Sequence, residues 1–244
     1  MGVIAAIGSS KGGAGKTSLC QVLAPNLLAR GWRVAVVDAD QNGTFSAWFR
    51  DAYEGSGFQC VHEPHEVRAV DEAQRLLAES DIVLVDTAGF KNLTASTAMA
   101  AADVVLIPTM SDRGSVIEAI ATYQQVQGLA RASRRSIPAY AVCTRWRGRG
   151  LAEKAALEGL RSNGVPVLES VLSDLADLPK LTHSGRVPTT GKAAREADQL
   201  ADEMVQLGHF PPEPDRSGDS DEEEASTPIS ASVPRAGGRK KAAA

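Results

Sequence analysis

The sequence predicts an α/β domain in which helices cover both faces of a doubly wound, mostly parallel sheet. Three observations carry that prediction. Short, almost wholly apolar Val/Ile runs recur along the chain, and such runs suit strands buried on both faces. Helix-length amphipathic segments separate the runs, an alternation that right-handed crossovers fold into a single sheet. Of 244 residues, 43% are apolar and only 5% aromatic, which fits Val-rich strands packed under Ala/Leu helices. The length is enough for one such domain with a full core and too short for two large ones.

Taken in order, the first strand is expected over Val3–Ile7 and leads into a Gly-rich loop. A helix over Thr17–Arg30 follows, with Gly31 as its stop, then a strand over Arg33–Asp38. His65–Ser80 carries Val67, Val70, Ala73, Leu76 and Leu77 at helical spacing. Strands are expected over Ile82–Asp86, Val104–Thr109, Ala139–Thr144 and Val165–Val171, and helices over Gly114–Leu129, Leu151–Asn163 and Lys192–Leu207. The pattern stops at His209-Phe210-Pro211-Pro212. Residues 1–208 are therefore expected to be the folded domain. Residues 209–244, with the acidic run Asp221–Glu224 and the basic end Arg239-Lys240-Lys241, are expected to be a disordered Pro/Ser/acidic tail.

Composition excludes several classes. The net charge of −4 gives no global attraction to nucleic acid or anionic membrane. Cys20, Cys60 and Cys143 form no CxxC pair, so a zinc or redox site is not expected and free thiols are. The apolar start lacks a basic leader, and no stretch approaches the roughly 18 apolar residues of a membrane span. A cytoplasmic location is expected, with no membrane partner.

Chemistry concentrates in Gly8–Thr17, which reads GSSKGGAGKT between a strand and a helix. Glycines let backbone N–H groups turn inward around phosphates, and the helix N-terminus adds partial positive charge. Gly12, Gly13, Ala14, Gly15, Lys16, Thr17 and Ser18 are thus the expected nucleotide contacts, with Lys16 reaching the β- and γ-phosphates. The Thr17 hydroxyl suits Mg²⁺, a hard cation that takes oxygen ligands. Asp38 and Asp40 close one strand and Asp86 another, and strand ends of this fold point into the ligand crevice.

Lys11 gives the loop a second lysine, K-G-G-x-G-K-T. This deviant Walker A resembles the ParA/MinD family of P-loop ATPases, over roughly residues 1–207. Trp48 and Leu106-Ile107-Pro108-Thr109 look like the same family. Within it the chain is similar to small ParA proteins and to VirC-type proteins that assist transfer-DNA processing, on Ile107-Pro108-Thr109-Met110, Glu118-Ala119, Thr122-Tyr123 and Ile137-Pro138. The resemblance implies ATP and Mg²⁺ as cofactors and a homodimer that closes on ATP. In it Lys11 would contact the facing subunit's phosphates, as an arginine finger does. It implies that Asp38 supports the Mg²⁺ water shell, that Asp40 orients the attacking water, and that Asp86 holds Mg²⁺ through water. Catalysis would then rest on Lys11, Lys16 and Asp40, and the metal on Thr17, Asp38 and Asp86. One departure stands out: the family commonly has Pro-Gln-Gly after the second aspartate, and this chain has Gln41-Asn42-Gly43. Thr144-Arg145 lies where contacts to the base are expected.

From Gly128 to Ala152 there are six arginines, Arg131, Arg134, Arg135, Arg145, Arg147 and Arg149, with Trp146 interleaved and no acidic residue. Arg donates paired hydrogen bonds to phosphate, so the stretch is expected to form a DNA-binding patch. The resemblance implies the same: nonspecific DNA binding by the ATP-bound dimer, nucleoid association, and release through a ParB-like or relaxosome-like stimulating protein. Positioning of a protein cargo and a metabolic P-loop enzyme without DNA binding are the alternatives. A membrane switch of the MinD type is disfavoured because the tail has no amphipathic helix. His62, His65 and His183 match no metal spacing and are read as surface or loop residues.

Overall fold

A computed structural model describes residues 2–89, 93–148, 150–173 and 177–215. The elements in chain order are β1 (Val3–Ser9), α1 (Lys16–Ala29), β2 (Val34–Ala39), α2 (Thr44–Asp51), β3 (Gln59–His62), α3 (Glu66–Leu77), β4 (Ile82–Gly89), α4 (Leu93–Ala101), β5 (Val104–Thr109), α5 (Arg113–Ser133), β6 (Ala139–Trp146), α6 (Leu151–Ser162), β7 (Val167–Ser173), α7 (Asp177–Ser184) and α8 (Gly191–Gln206). The seven strands form one parallel sheet in the order β3-β2-β4-β1-β5-β6-β7.

Side chains alternate along each strand, so each strand feeds two cores. Ile4, Ala6, Ala35, Val37, Val83 and Val85 face the core under α3, α4, α5 and α6. Ala5, Ile7, Val34, Val36, Ile82 and Leu84 face the other, built with α1, α2 and α8 around Leu19, Leu23, Leu27, Trp32 and Met204. The strand order reverses at β1, so the loops leaving β1 and its neighbours diverge at their carboxyl ends and open a crevice there.

The expected strands all form, with shifted ends. β6 runs on to Trp146, and β7 begins at Val167 because the residues before it serve as its approach: Pro166 O accepts from Ala141 N at 2.8 Å. The additions are β3, α2, α4 and α7. Packing also continues past residue 208. Phe210 is buried, the Pro212 carbonyl accepts from Trp32 Nε1 at 3.2 Å, and Glu213 pairs with Arg30 at 2.7 Å. The compact unit runs to Pro214. The acidic run and basic end of the expected tail lie outside the described residues.

At the β7 margin, Glu203 of α8 accepts the backbone N–H groups of Glu169 and Ser170 at 2.7 and 2.8 Å. Glu196, two turns earlier on the same face, accepts from Ser173 N and Ser173 Oγ at 2.8 and 2.5 Å. Edge amides that would face water are therefore satisfied by helix carboxylates.

Candidate nucleotide site

The loop after β1 rises to α1 through two left-handed glycines, Gly13 at φ 76° and Gly15 at φ 95°. Gly15 is the N-cap of α1 and offers no side chain to the helix. The first-turn N–H groups are thus left to a ligand, as α-helix geometry gives them no partner within the helix. A Cβ on Gly12 or Gly13 would meet nothing within 4 Å, so both border open space. Ala14 is pinned from below: Thr144 Oγ1 donates to its carbonyl at 3.2 Å. Thr144, expected at the base, is a buried β6 residue whose hydroxyl lies under the loop.

Lys16 is buried, and its Nζ reaches the Lys11 carbonyl at 3.5 Å. Burial lowers its pKa, and the nearby Asp86 and Asp40 charges oppose that shift. Such an ammonium is under-solvated and suited to phosphate oxygens.

Register places the carboxylates. Asp38 of β2 stands opposite Asp86 of β4, which stands opposite Ile7 of β1. Both aspartates are fully buried. Neither Asp86 oxygen has a hydrogen-bond partner. The Thr17 hydroxyl is close enough to lower the Asp86 pKa without meeting the geometry of a hydrogen bond. Burial pushes the Asp86 carboxyl up to about 7, against Thr17 and Lys16 and helped by Asp38 and Asp40. An orphaned buried carboxylate beside a hydroxyl and an ammonium fits a divalent cation, which would restore its charge balance.

Asp38 is spent differently. Its Oδ2 accepts from Ser46 N at 2.8 Å in the first turn of α2, and its Oδ1 from Asp40 N at 3.2 Å. It braces the loop that carries Asp40, a role that the spacing of the sequence did not disclose. Asp40 Oδ1 accepts from both Asn42 N and Asn42 Nδ2 at 2.9 Å. Asn42 thus closes an Asx turn where the resembling family has Gln.

Lys11 folds back onto its own chain. Its Nζ bonds Asp112 Oδ1 and Ser115 Oγ, each at 2.9 Å. Asp112 is the N-cap of α5, accepting from Ser115 N at 3.0 Å, and Ser115 and Lys11 together hold its carboxyl at about 2. Ser10, next to Lys11, donates to the Glu118 carboxylate on the same helix.

The expected arginine patch does not assemble as one. α5 descends to Ser133 and β6 climbs back from Ala139 to Trp146. The eight residues of β6 therefore separate Arg131, Arg134 and Arg135 from Arg145 and Arg147 by roughly 25 Å. Arg135 is committed to the Ala100 carbonyl at 3.0 Å and to Asp103 at 3.5 Å. Arg145 is exposed at φ 51°, on the crevice end of the sheet. Arg149 lies outside the described residues. The cysteines are free, with Cys20 and Cys143 buried. Among the described residues no helix is long and apolar enough to cross a membrane.

His62 was not expected at the site. It stands opposite Asp38 across β2 and β3, and its Nε2 lies 2.9 Å from the Asp40 carbonyl. Two cavities, of about 750 and 720 Å³, lie against α7 and against β7 with α8, and no P-loop residue lines either.

A family model described as VirC1 protein matches residues 1–192. Protein virC1 of Rhizobium radiobacter is 34% identical over 135 residues, 53% of this chain and 58% of that protein. The match thus spans little more than half of that relative's length. The maintenance of carboxysome distribution protein A of Gloeobacter kilaueensis is 29% identical over 199 residues, 80% of this chain and 88% of its own. An Asp-to-Ala variant of McdA from Cyanothece, solved as its ATP complex, superposes with a TM-score of 0.72 at 15% identity, over 85% of this chain and 96% of that one. The shared architecture is the ParA/MinD-like P-loop fold, and with a family model covering residues 1–192 this chain belongs to the VirC1 protein family.

Proposed function

We propose that this protein is an Mg²⁺-dependent ATPase switch that dimerises on ATP, binds DNA without sequence preference, and positions a plasmid or conjugative DNA-processing complex until a partner stimulates hydrolysis. The observation that carries the reading is the triad of Lys16, Thr17 and the unpartnered Asp86 at the mouth of an open glycine loop. The N–H groups of the loop and of the first turn of α1 would bind the phosphates, and Lys16 would neutralise the β- and γ-oxygens. Thr17 and Asp86 would hold Mg²⁺, with Asp38 bracing the neighbouring loop. Bound there, the cation would neutralise charge that develops as the γ-phosphoryl group departs. Asp40 would orient the attacking water through Oδ2, its Oδ1 being held by Asn42.

For Lys11 to serve the facing subunit it must leave Asp112 and Ser115. Association is then an exchange of partners for that ammonium. Arg145 and Arg147 share the crevice end with the nucleotide loop and are the pair we assign to ATP-gated DNA contact. Arg131 and Arg134, at the other end, would add phosphate contacts outside that gate. A cytoplasmic location, on the nucleoid when ATP is bound, goes with this reading. A protein cargo is the second reading, favoured by the carboxysome-distribution relative, whose similarity spans 80% of the chain.

The test is binding to an unrelated DNA duplex without nucleotide, with ADP and with ATP, at two salt concentrations, for the wild type and Lys11→Ala. Binding only with ATP, lost in the variant and weakened by salt, is expected. ATP hydrolysis with DNA ignored in every state would discard the DNA reading and favour a protein cargo.

A further inference from the structure

Asp40 is held at every polar atom except one. Its N–H donates to Asp38 Oδ1 at 3.2 Å, its carbonyl accepts from Gly43 N at 3.0 Å, and its Oδ1 is taken by Asn42. Oδ2 is the oxygen left over. A further group reaches the turn from outside it. His62, at the end of the edge strand β3, places Nε2 at 2.9 Å from the same Asp40 carbonyl. A carbonyl only accepts, so Nε2 carries the proton and the tautomer is set. The ring also stands against Gly43, with its Cε1, Nε2 and Nδ1 atoms 3.1, 3.2 and 3.4 Å from where a Cβ would be. Gly43 is left-handed at φ 58° and is the N-cap of α2. The imidazole therefore fills the place of the missing side chain and contacts the turn by packing and by a hydrogen bond at once.

Backbone register explains why this residue can do so. His62 is paired with Asp38, and Glu63 N donates to the Asp38 carbonyl at 3.0 Å. The ring is thus anchored to the strand from which Asp40 departs. From there it bears on the turn from the β3 side, while Asp38 bears on it from within β2.

We propose that His62 is a positioning residue for ATP hydrolysis: it clamps the Asp40–Gly43 turn so that the free Oδ2 of Asp40 is aimed at the attacking water. This rests on the hydrolytic role assigned to Asp40 above. A small drift of a reacting group lowers rate far more than it lowers ground-state binding, since orientation acts on the transition state. The effect of removing His62 falls on kcat and spares nucleotide affinity.

The experiment is single-turnover ATP hydrolysis at saturating Mg–ATP, with ATP affinity measured separately by equilibrium binding, on the full chain as wild type, Asp40→Ala, His62→Ala and His62→Gln. His62→Ala is expected to lower the hydrolysis rate about tenfold with affinity changed less than about twofold. His62→Gln, whose side-chain N–H can reach the same carbonyl, is expected to recover most of the loss. A His62→Ala rate equal to wild type overturns the proposal. So does a loss that appears in affinity or melting temperature alone, or one that Gln does not rescue. If Asp40→Ala hydrolyses ATP at the wild-type rate, the role of Asp40 is wrong and the clamp falls with it.

Discussion

Two carboxylates face each other in register at the crevice, Asp38 at the end of β2 and Asp86 in β4, and their surroundings are opposite. Both are fully buried. Asp38 has each oxygen on a backbone N–H, one in the turn that follows and one in α2. Asp86 has neither oxygen bonded and titrates near 7. A buried charge costs free energy unless it is paired, so the first arrangement builds the protein and the second waits for something to complete it. The same residue type at the same height in one sheet is a structural brace in one strand and an unsatisfied buried acid in the next.

The largest test of that contrast is Asp86→Asn. The raised carboxyl means that the native state holds a proton that the unfolded chain releases. The contribution of Asp86 to stability is therefore fully present below about pH 4, shrinks as pH rises, and is gone above about 7. At pH 8 and without nucleotide, Asp86→Asn is expected to be more stable than wild type, on the order of 2–4 kcal/mol in urea unfolding. Mg²⁺-dependent ATP binding should weaken about 10–100-fold. A variant less stable than wild type at pH 8 would show that Asp86 is a brace after all.

Asp38→Ala should act with the opposite sign. It strands the N–H groups of Asp40 and Ser46, and a loss of roughly 2–3 kcal/mol is expected. Equal stability of the alanine variant would mean that water replaces the carboxylate there. The smallest effect is expected at Asp112, exposed and shared between the α5 N-terminus and Lys11. Asp112→Ala should cost about 1 kcal/mol in the same measurement. Because its carboxyl is depressed to about 2, that difference should persist at neutral pH and vanish only as pH falls from about 4 through 2. A pH-independent difference would remove the carboxylate from the account.

The sheet was largely legible because its strands are continuous apolar runs, and the strand–loop–helix turn because its glycines supply the left-handed conformations it needs. The parts that escaped have weak local signals. β3 is four half-exposed residues, Gln59-Cys60-Val61-His62, between glycines and Pro64, with neither a run nor an alternation. Missing that strand removed the only means of placing His62 beside Asp38. α4 is an Ala/Thr/Ser segment whose apolar residues do not favour one face, and α2 is short, with only Phe45 and Trp48 buried. The arginine stretch misled for a different reason. Nearness in sequence became distance in space because α5 continues through Gly128 to Ser133 before the chain turns back along β6. Asp38 and Asp86 could be recognised as strand-end aspartates, but which was satisfied depended on the trajectory of a loop that composition does not encode.

The last helix has a consequence beyond packing. By taking the amide hydrogens of Glu169, Ser170 and Ser173, the glutamates of α8 leave the outer margin of β7 without the row of free donors that a stray extended chain needs for templating. A helix here acts as a stopper at one edge of the sheet. On the dimerising reading proposed above, copies would then meet through loops and helix ends, where contacts can be undone, and not along this edge, where strand pairing is hard to reverse.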